Sequence, residues 1–134
     1  MSEQVELLVF ELGENEYVVD VSKVNEVRGF DGVSRVPDRP SFMRGVINLR
    51  NVVVPIIDLR IKFITSNPNP DQFVSVIILR TETRVMGLVV DSVSDVISAL
   101  GPIGPRGVIG ASGTYSVEER TLHLLDVDDL ESSI

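Results

Sequence analysis

The chain has 134 residues and a formal charge of −8, with twelve Lys and Arg against twenty Asp and Glu. That acidic balance opposes recognition of nucleic acid or anionic lipid, which needs a basic face. Cysteine is absent, so disulfides, thiolate metal sites and cysteine nucleophiles are excluded together, and the composition fits the reducing cytoplasm. Aromatics are 5% of the chain and Trp is missing, which leaves any core or interface to Val, Ile and Leu. The N-terminal MSEQVELLVFELGENE lacks the basic and apolar regions of a secretory signal, and no apolar run reaches the length of a membrane span. The sequence reads as a soluble, unprocessed, cytoplasmic chain of one domain.

Short apolar segments rich in β-branched residues, each bounded by Gly, Pro, Asn or Asp, predict an all-β fold. In chain order the predicted strands are 6–12, 16–19, 25–28, 45–49, 52–58, 73–80, 85–90, 107–111 and 121–125. GENE at 13–16 and TETR at 81–84 read as hairpin connections. SNPNPD at 66–71 is a linker, because its prolines forbid a central strand and its Asn residues favour turns. It separates an approximate first half, 5–65, from a second, 72–130.

The halves echo each other in order. VVDVSKVNEV from Val18 answers VVDSVSDVI from Val89, GVI at Gly45 answers GVI at Gly107, and PIID ending at Asp58 answers HLLD ending at Asp126. The offsets are 71, 62 and 68 residues, which suggests two related sub-barrels. Asp20 and Asp91 each follow two valines and are predicted to cap a single helical turn.

The chemistry of catalysis is thin. His123 is the one imidazole, which rules out two-His zinc sites, and in TLHLLD it is expected to point outward between Leu122 and Leu124. DVDDLE at 126–131 lacks the glycine and downstream glutamate of a calcium loop and reads as a solvated acidic end. GPIGPRGVIGASG at 101–113 has Gly at every third position, but too few triplets for a triple helix, and is expected to be a loop leading into a strand. No phosphate-cradling motif follows any strand.

GVINLRNVVVPIIDLR, residues 45–60, is more informative. Its aliphatic residues leave no polar face, so two strands covered on both sides are expected. Arg50 and Asn51 fall between them at a hairpin tip, with Asn51 supplying the left-handed conformation that a tight turn requires. Arg50 either solubilises the tip or offers a permanently charged planar donor to an acidic group on a partner. Glu26 in KVNEVRG is a matching acid beside Val24 and Val27, either a partner contact or a product of strand alternation.

Three blocks together, LVFELGENEYVVDVSKVNEVRG, PSFMRGVINLRNVVVPIIDLRIKF and VMGLVVDSVSDVI, resemble the CheW family of chemotaxis coupling proteins over nearly the whole chain. The resemblance implies two intertwined five-stranded SH3-like β-barrels with short helical turns and possible exchange of terminal strands. It also implies no enzymatic activity, no cofactor, and a cytoplasmic scaffold linking a CheA-type histidine kinase to the cytoplasmic tips of chemoreceptors. Arg50 in NLRN matches the family's functional arginine in NLRG, and Glu26 an acid of its interaction surface. Val21, Val24 and Val27 match apolar neighbours of that surface, Arg44 a basic position before the GVINL strand, and Ser75 and Val76 two valines after the linker, Ser75 departing from the apolar pattern. Asn51 stands where the family usually has Gly. The segment from Asp95 to His123 is shorter than in a typical member, and no terminal helix is expected after Leu130. The competing expectations are another protein-interaction or small-ligand barrel, whose interior could hold an apolar molecule, and a hydrolase using Asp58 and Asp126, which would need paired acids with separated pKa values.

Overall fold

Alternation of β-branched residues produces ten strands in the computed structural model, which describes residues 4–29, 43–64, 74–101 and 104–133. They are β1 (Gln4–Leu12), β2 (Asn15–Asp20), β3 (Val24–Gly29), β4 (Met43–Leu49), β5 (Val52–Asp58), β6 (Ser75–Arg80), β7 (Val85–Val90), β8 (Ser92–Leu100), β9 (Ala111–Val117) and β10 (Arg120–Leu125). A 3-10 turn, Val21–Lys23, joins β2 to β3, a π turn, Arg60–Ile64, follows β5, and a six-residue helix α1, Val127–Ser132, closes the chain. The expected linker 66–71 and residue 73 of the expected sixth strand lie outside the described residues.

The strands form two five-stranded sheets, ordered β8-β1-β2-β10-β9 and β3-β6-β7-β5-β4. Both follow one plan. An outer strand flanks an antiparallel hairpin (β1–β2 or β6–β7), which meets a second antiparallel hairpin (β9–β10 or β4–β5) through a parallel pairing, β2 with β10 or β7 with β5. The chain partitions accordingly into unit 1, Met1–Ser22 with Val93–Ile134, and unit 2, Lys23–Ser92, so the N-terminal strands belong with the C-terminal ones.

Each unit has its own core, built from the inward face of its sheet. In unit 1, Leu7, Val9, Val18, Ala99, Tyr115 and Leu122 pack together, and Phe10 stacks on its cross-strand neighbour Tyr17 with ring centroids 5.8 Å apart. Arg120 on β10 donates to Glu16 on β2 at 2.7 Å and to Asp95 on β8 at 3.3 Å, tying three strands at the surface. In unit 2 the core is Val54, Ile56, Val74, Val76, Ile78 and Val89. Gly87 sits where a Cβ would run into the Ile56 side chain, so β5 and β7 pack at this point because the residue is glycine.

Several expectations change. Residues 107–110 form a turn rather than a strand, so the second GVI echo is not structural, and the strand begins at Ala111. β8 and β9 were not anticipated over their lengths. Asp20 does accept from the Ser22 N–H at 2.9 Å and caps its turn, whereas Asp91 is followed directly by β8 with no helical turn between. A terminal helix is present: Asp126 caps α1 by accepting from the Asp129 N–H at 3.0 Å, which gives DVDDLE a structural role. His123 is 9% exposed, not outward, because Tyr17 and the loop around Gly107 cover it.

Candidate protein-docking site

Arg50 and Asn51 join β4 to β5 with φ of 51° and 68°, so both central residues of the two-residue turn are left-handed. This is the type I′ geometry whose twist matches that of paired strands. The Asn48 side-chain oxygen accepts from the Asn51 N–H at 3.0 Å and braces the turn. Asn tolerates the left-handed region; Arg has no such excuse and costs about 1 kcal/mol or more there. The guanidinium is exposed, and no hydrogen bond or ion pair reaches it among the described residues.

The strands beside the tip are not covered on both sides as expected. Val52 and Val53 are 50% and 65% exposed, while Val54, Ile56 and Ile57 farther along β5 are buried. The core therefore ends before the hairpin does, and the tip presents one cation beside two valines. These valines were missed because their sequence is indistinguishable from the buried run that continues it; their place at the projecting end of a hairpin decides their exposure.

Glu26 lies on β3, the outer strand at the other end of the same sheet's order. A register shift between Val24 and Glu26 marks a bulge, which re-aims the side chains that follow. Beyond the bulge Glu26 shares a half-buried face with Arg28, level with Ile78 and Val76, and its Oε1 is buried without a hydrogen-bond partner. Val27, on the opposite face, is 41% exposed.

The cross-strand rows separate these groups. Glu26 is level with Ile78, Ile78 with Gly87, and Gly87 with Ile56. Arg50 precedes Ile56 by six residues, which displaces it by roughly 20 Å along the strand direction at ~3.3 Å per residue. That exceeds what an arginine and a glutamate can span together, so among the described residues Arg50 and Glu26 do not face one another across a single groove.

The remaining candidates spread around these elements. Val21 is half-buried in the turn before β3, and Val24 half-buried at the start of β3. Ser75 is half-buried and opens β6 between Gly29 and Val90, whereas Val76 is a core residue. Arg44 lies on β4 beside the register shift between Met43 and Gly45.

The acids proposed for hydrolysis are engaged elsewhere. Buried Asp58 accepts from the Arg60 backbone N–H at 3.0 Å, from Nε at 2.9 Å and from an Nη at 2.7 Å. The hydrogen bond with Asp58 and its charge push the Arg60 pKa up against the opposing effect of burial, so this is a sealed ion pair. Asp126 is the helix cap. Among the described residues no cluster of three or more His, Asp or Glu could hold a metal ion.

Exposed valines beside a projecting cation, carried on a two-sheet all-β frame, make this hairpin tip a candidate protein-docking site. A model of the CheW-like domain matches residues 6–134, and the chain belongs to that family. It is 44% identical to the chemotaxis protein CheW of Klebsiella aerogenes over 96% of this chain and 82% of that one. It is 33% identical to the probable chemotaxis protein CheW of Rhizobium etli over 95% and 87%. Among solved structures it is similar to the scaffolding protein TtCheW of Thermoanaerobacter tengcongensis, with a TM-score of 0.81, 26% identity and coverage of 92% of this chain and 90% of that one. The all-β fold and the CheW resemblance therefore stand, and the family is one of non-enzymatic scaffolds. No helix among the described residues is long and apolar enough to cross a membrane.

Proposed function

We propose that this chain is a non-enzymatic adaptor of chemotaxis signalling that couples a CheA-type histidine kinase to the cytoplasmic tips of chemoreceptors. The observation that supports this reading is the separation of Arg50 at one end of a sheet from Glu26 on its outer strand at the other. The β4–β5 tip offers exposed Arg50 with Val52 and Val53, and suits an acidic, apolar partner surface. The β3 edge offers Glu26, with its unpartnered Oε1, and suits a cationic group on a partner. Half-buried Val24 on β3 and Ser75 on β6 lie beside these surfaces, and Val76 of β6 packs into the core of the same sheet.

An adaptor must hold two partners at once, which separate surfaces allow and a shared groove forbids. Each contact of ordinary size buries about 800 Å² per partner, with affinity set by a few central side chains. Signal then passes as a shift between kinase conformations that bind the adaptor differently. Arg50→Glu should weaken co-sedimentation of the chain with one of its two partners, kinase or receptor fragment, at least tenfold while leaving the melting temperature within about 2 °C, since a tip side chain contributes little packing. Unaltered assembly by the folded variant would count against the reading.

A further inference from the structure

Unit 1 contains a buried polar group that the adaptor reading does not use. His123 sits on β10 between Tyr17 of β2 and Thr114 of β9, its partners in the two flanking pairings. Its ring lies 5.8 Å from that of Tyr17, and Nδ1 is buried without a hydrogen-bond partner. The edge carrying Nδ1 and Cε1 faces Gly107: a Cβ built there would stand 3.4 Å from Cε1 and 3.7 Å from Nδ1.

Gly107 belongs to a loop whose described ties are hydrogen bonds, among them 3.4 Å bonds from the Thr114 hydroxyl to the Pro105 carbonyl and from the Ala111 N–H to the Val108 carbonyl. Gly104 exchanges backbone hydrogen bonds with Thr114 at 3.1 and 3.2 Å, the Tyr17 hydroxyl donates to the Ile109 carbonyl at 2.7 Å, and the Gly110 carbonyl accepts from the Asp126 N–H at 2.8 Å. Beside the loop is an open cavity of about 440 Å³, lined by residues 106–110 and Asp129 of α1. The ring that contacts His123 is thus also the ring that ties down Ile109.

We propose that His123 is a proton-operated latch for the 104–110 loop, closed while the imidazole is neutral and released when it takes up a proton. An imidazolium carries an N–H at Nδ1, and the closed loop gives that N–H no acceptor; opening lets water supply one. The charged and titratable groups around the ring do not compensate. β2 contributes the neutral Tyr17 phenol, β9 contributes Thr114, which does not titrate, the loop contributes Arg106 next to Gly107, and Asp129 of α1 lines the cavity beside the loop. Burial pushes the imidazole pKa below its ordinary value, so the closed state prefers the neutral ring, and falling pH below about 6.5 favours the open state. Release would reposition Ile109, whose side chain is already exposed, and change the surface that unit 1 offers to a partner.

His123 is the only histidine, so its ring signals are unambiguous in an NMR titration of the full chain from pH 8 to pH 4.5. The ring should titrate below about 6.5, and the amides of Gly107, Val108, Ile109, Gly110 and Thr114 should shift with the same midpoint. In folded His123→Phe those amides should lose the transition. A ring midpoint at or above the ordinary value, stationary loop amides, or a loop transition that survives in His123→Phe would overturn the latch. Tyr17→Phe covers the case of a variant that fails to fold: removing the tie to Ile109 should raise the ring midpoint, and an unchanged midpoint would also overturn it.

Discussion

At the scale of single residues, the hairpin tip separates the needs of folding from those of docking. A two-residue I′ turn wants glycine or asparagine at both central positions, and Asn51 complies while Arg50 does not. Arg50→Gly should therefore raise stability by about 1 kcal/mol, by relieving the left-handed strain, while it weakens partner binding. Urea denaturation paired with a binding titration checks this, and a loss of both would mean that the guanidinium serves the fold. The turn was legible because Asn51 interrupts an aliphatic run, but the strain at Arg50 was not, since only the backbone angle reveals it. His123 was misread for a different reason. Strand alternation assigns it the face opposite Leu122, and alternation knows nothing of a loop distant in sequence that folds over that face.

Among elements, the β9–β10 hairpin repeats the geometry of β4–β5 at the offset of 68 residues that relates Asp126 to Asp58. Glu118 and Glu119 occupy its tip with φ of 50° and 66°, the positions answering Arg50 and Asn51. Two like charges in left-handed geometry make this the less favourable turn, so the double variant Glu118→Asn with Glu119→Gly should stabilise the protein by about 1–2 kcal/mol, read as a higher urea midpoint. This hairpin escaped the sequence reading because ASGTYSV has few β-branched residues; β9 exists through its pairing with β10 rather than its own propensity. β8 was missed because serines and an aspartate interrupt its valines, and because Asp91 imitates the cap formed by Asp20. α1 is too short for periodicity to reveal, yet Asp126 caps it. By contrast β5 and β7 matched the predicted bounds residue for residue, since both combine aliphatic runs with clear terminators.

For the molecule as a whole, two groups among the described residues of unit 1 contribute to the response to acid. Burial lowers the folded pKa of His123, so the unfolded chain binds a proton first and stability begins to fall as pH drops below about 6.5. Asp95 is held low by its hydrogen bonds to Arg120 and then Ser94; its contribution is present above its unfolded pKa of about 3.9 and is lost as pH falls through the lower folded value. Asp95 is exposed, so solvent screening keeps the second loss small. Urea midpoints measured from pH 8 to pH 3 should decline in those two windows, and His123→Phe should abolish the first alone.

On the proposed reading, one sheet carries two separable docking surfaces of opposite charge. The direct measurement is a set of binding isotherms for the folded wild type, Arg50→Glu and Glu26→Arg, each titrated with the kinase regulatory domain and with a receptor-tip fragment. Each substitution is predicted to weaken one partner at least tenfold and to leave the other within about twofold, with the two variants affecting different partners. Loss of both partners by either variant, or of the same partner by both, would contradict the account.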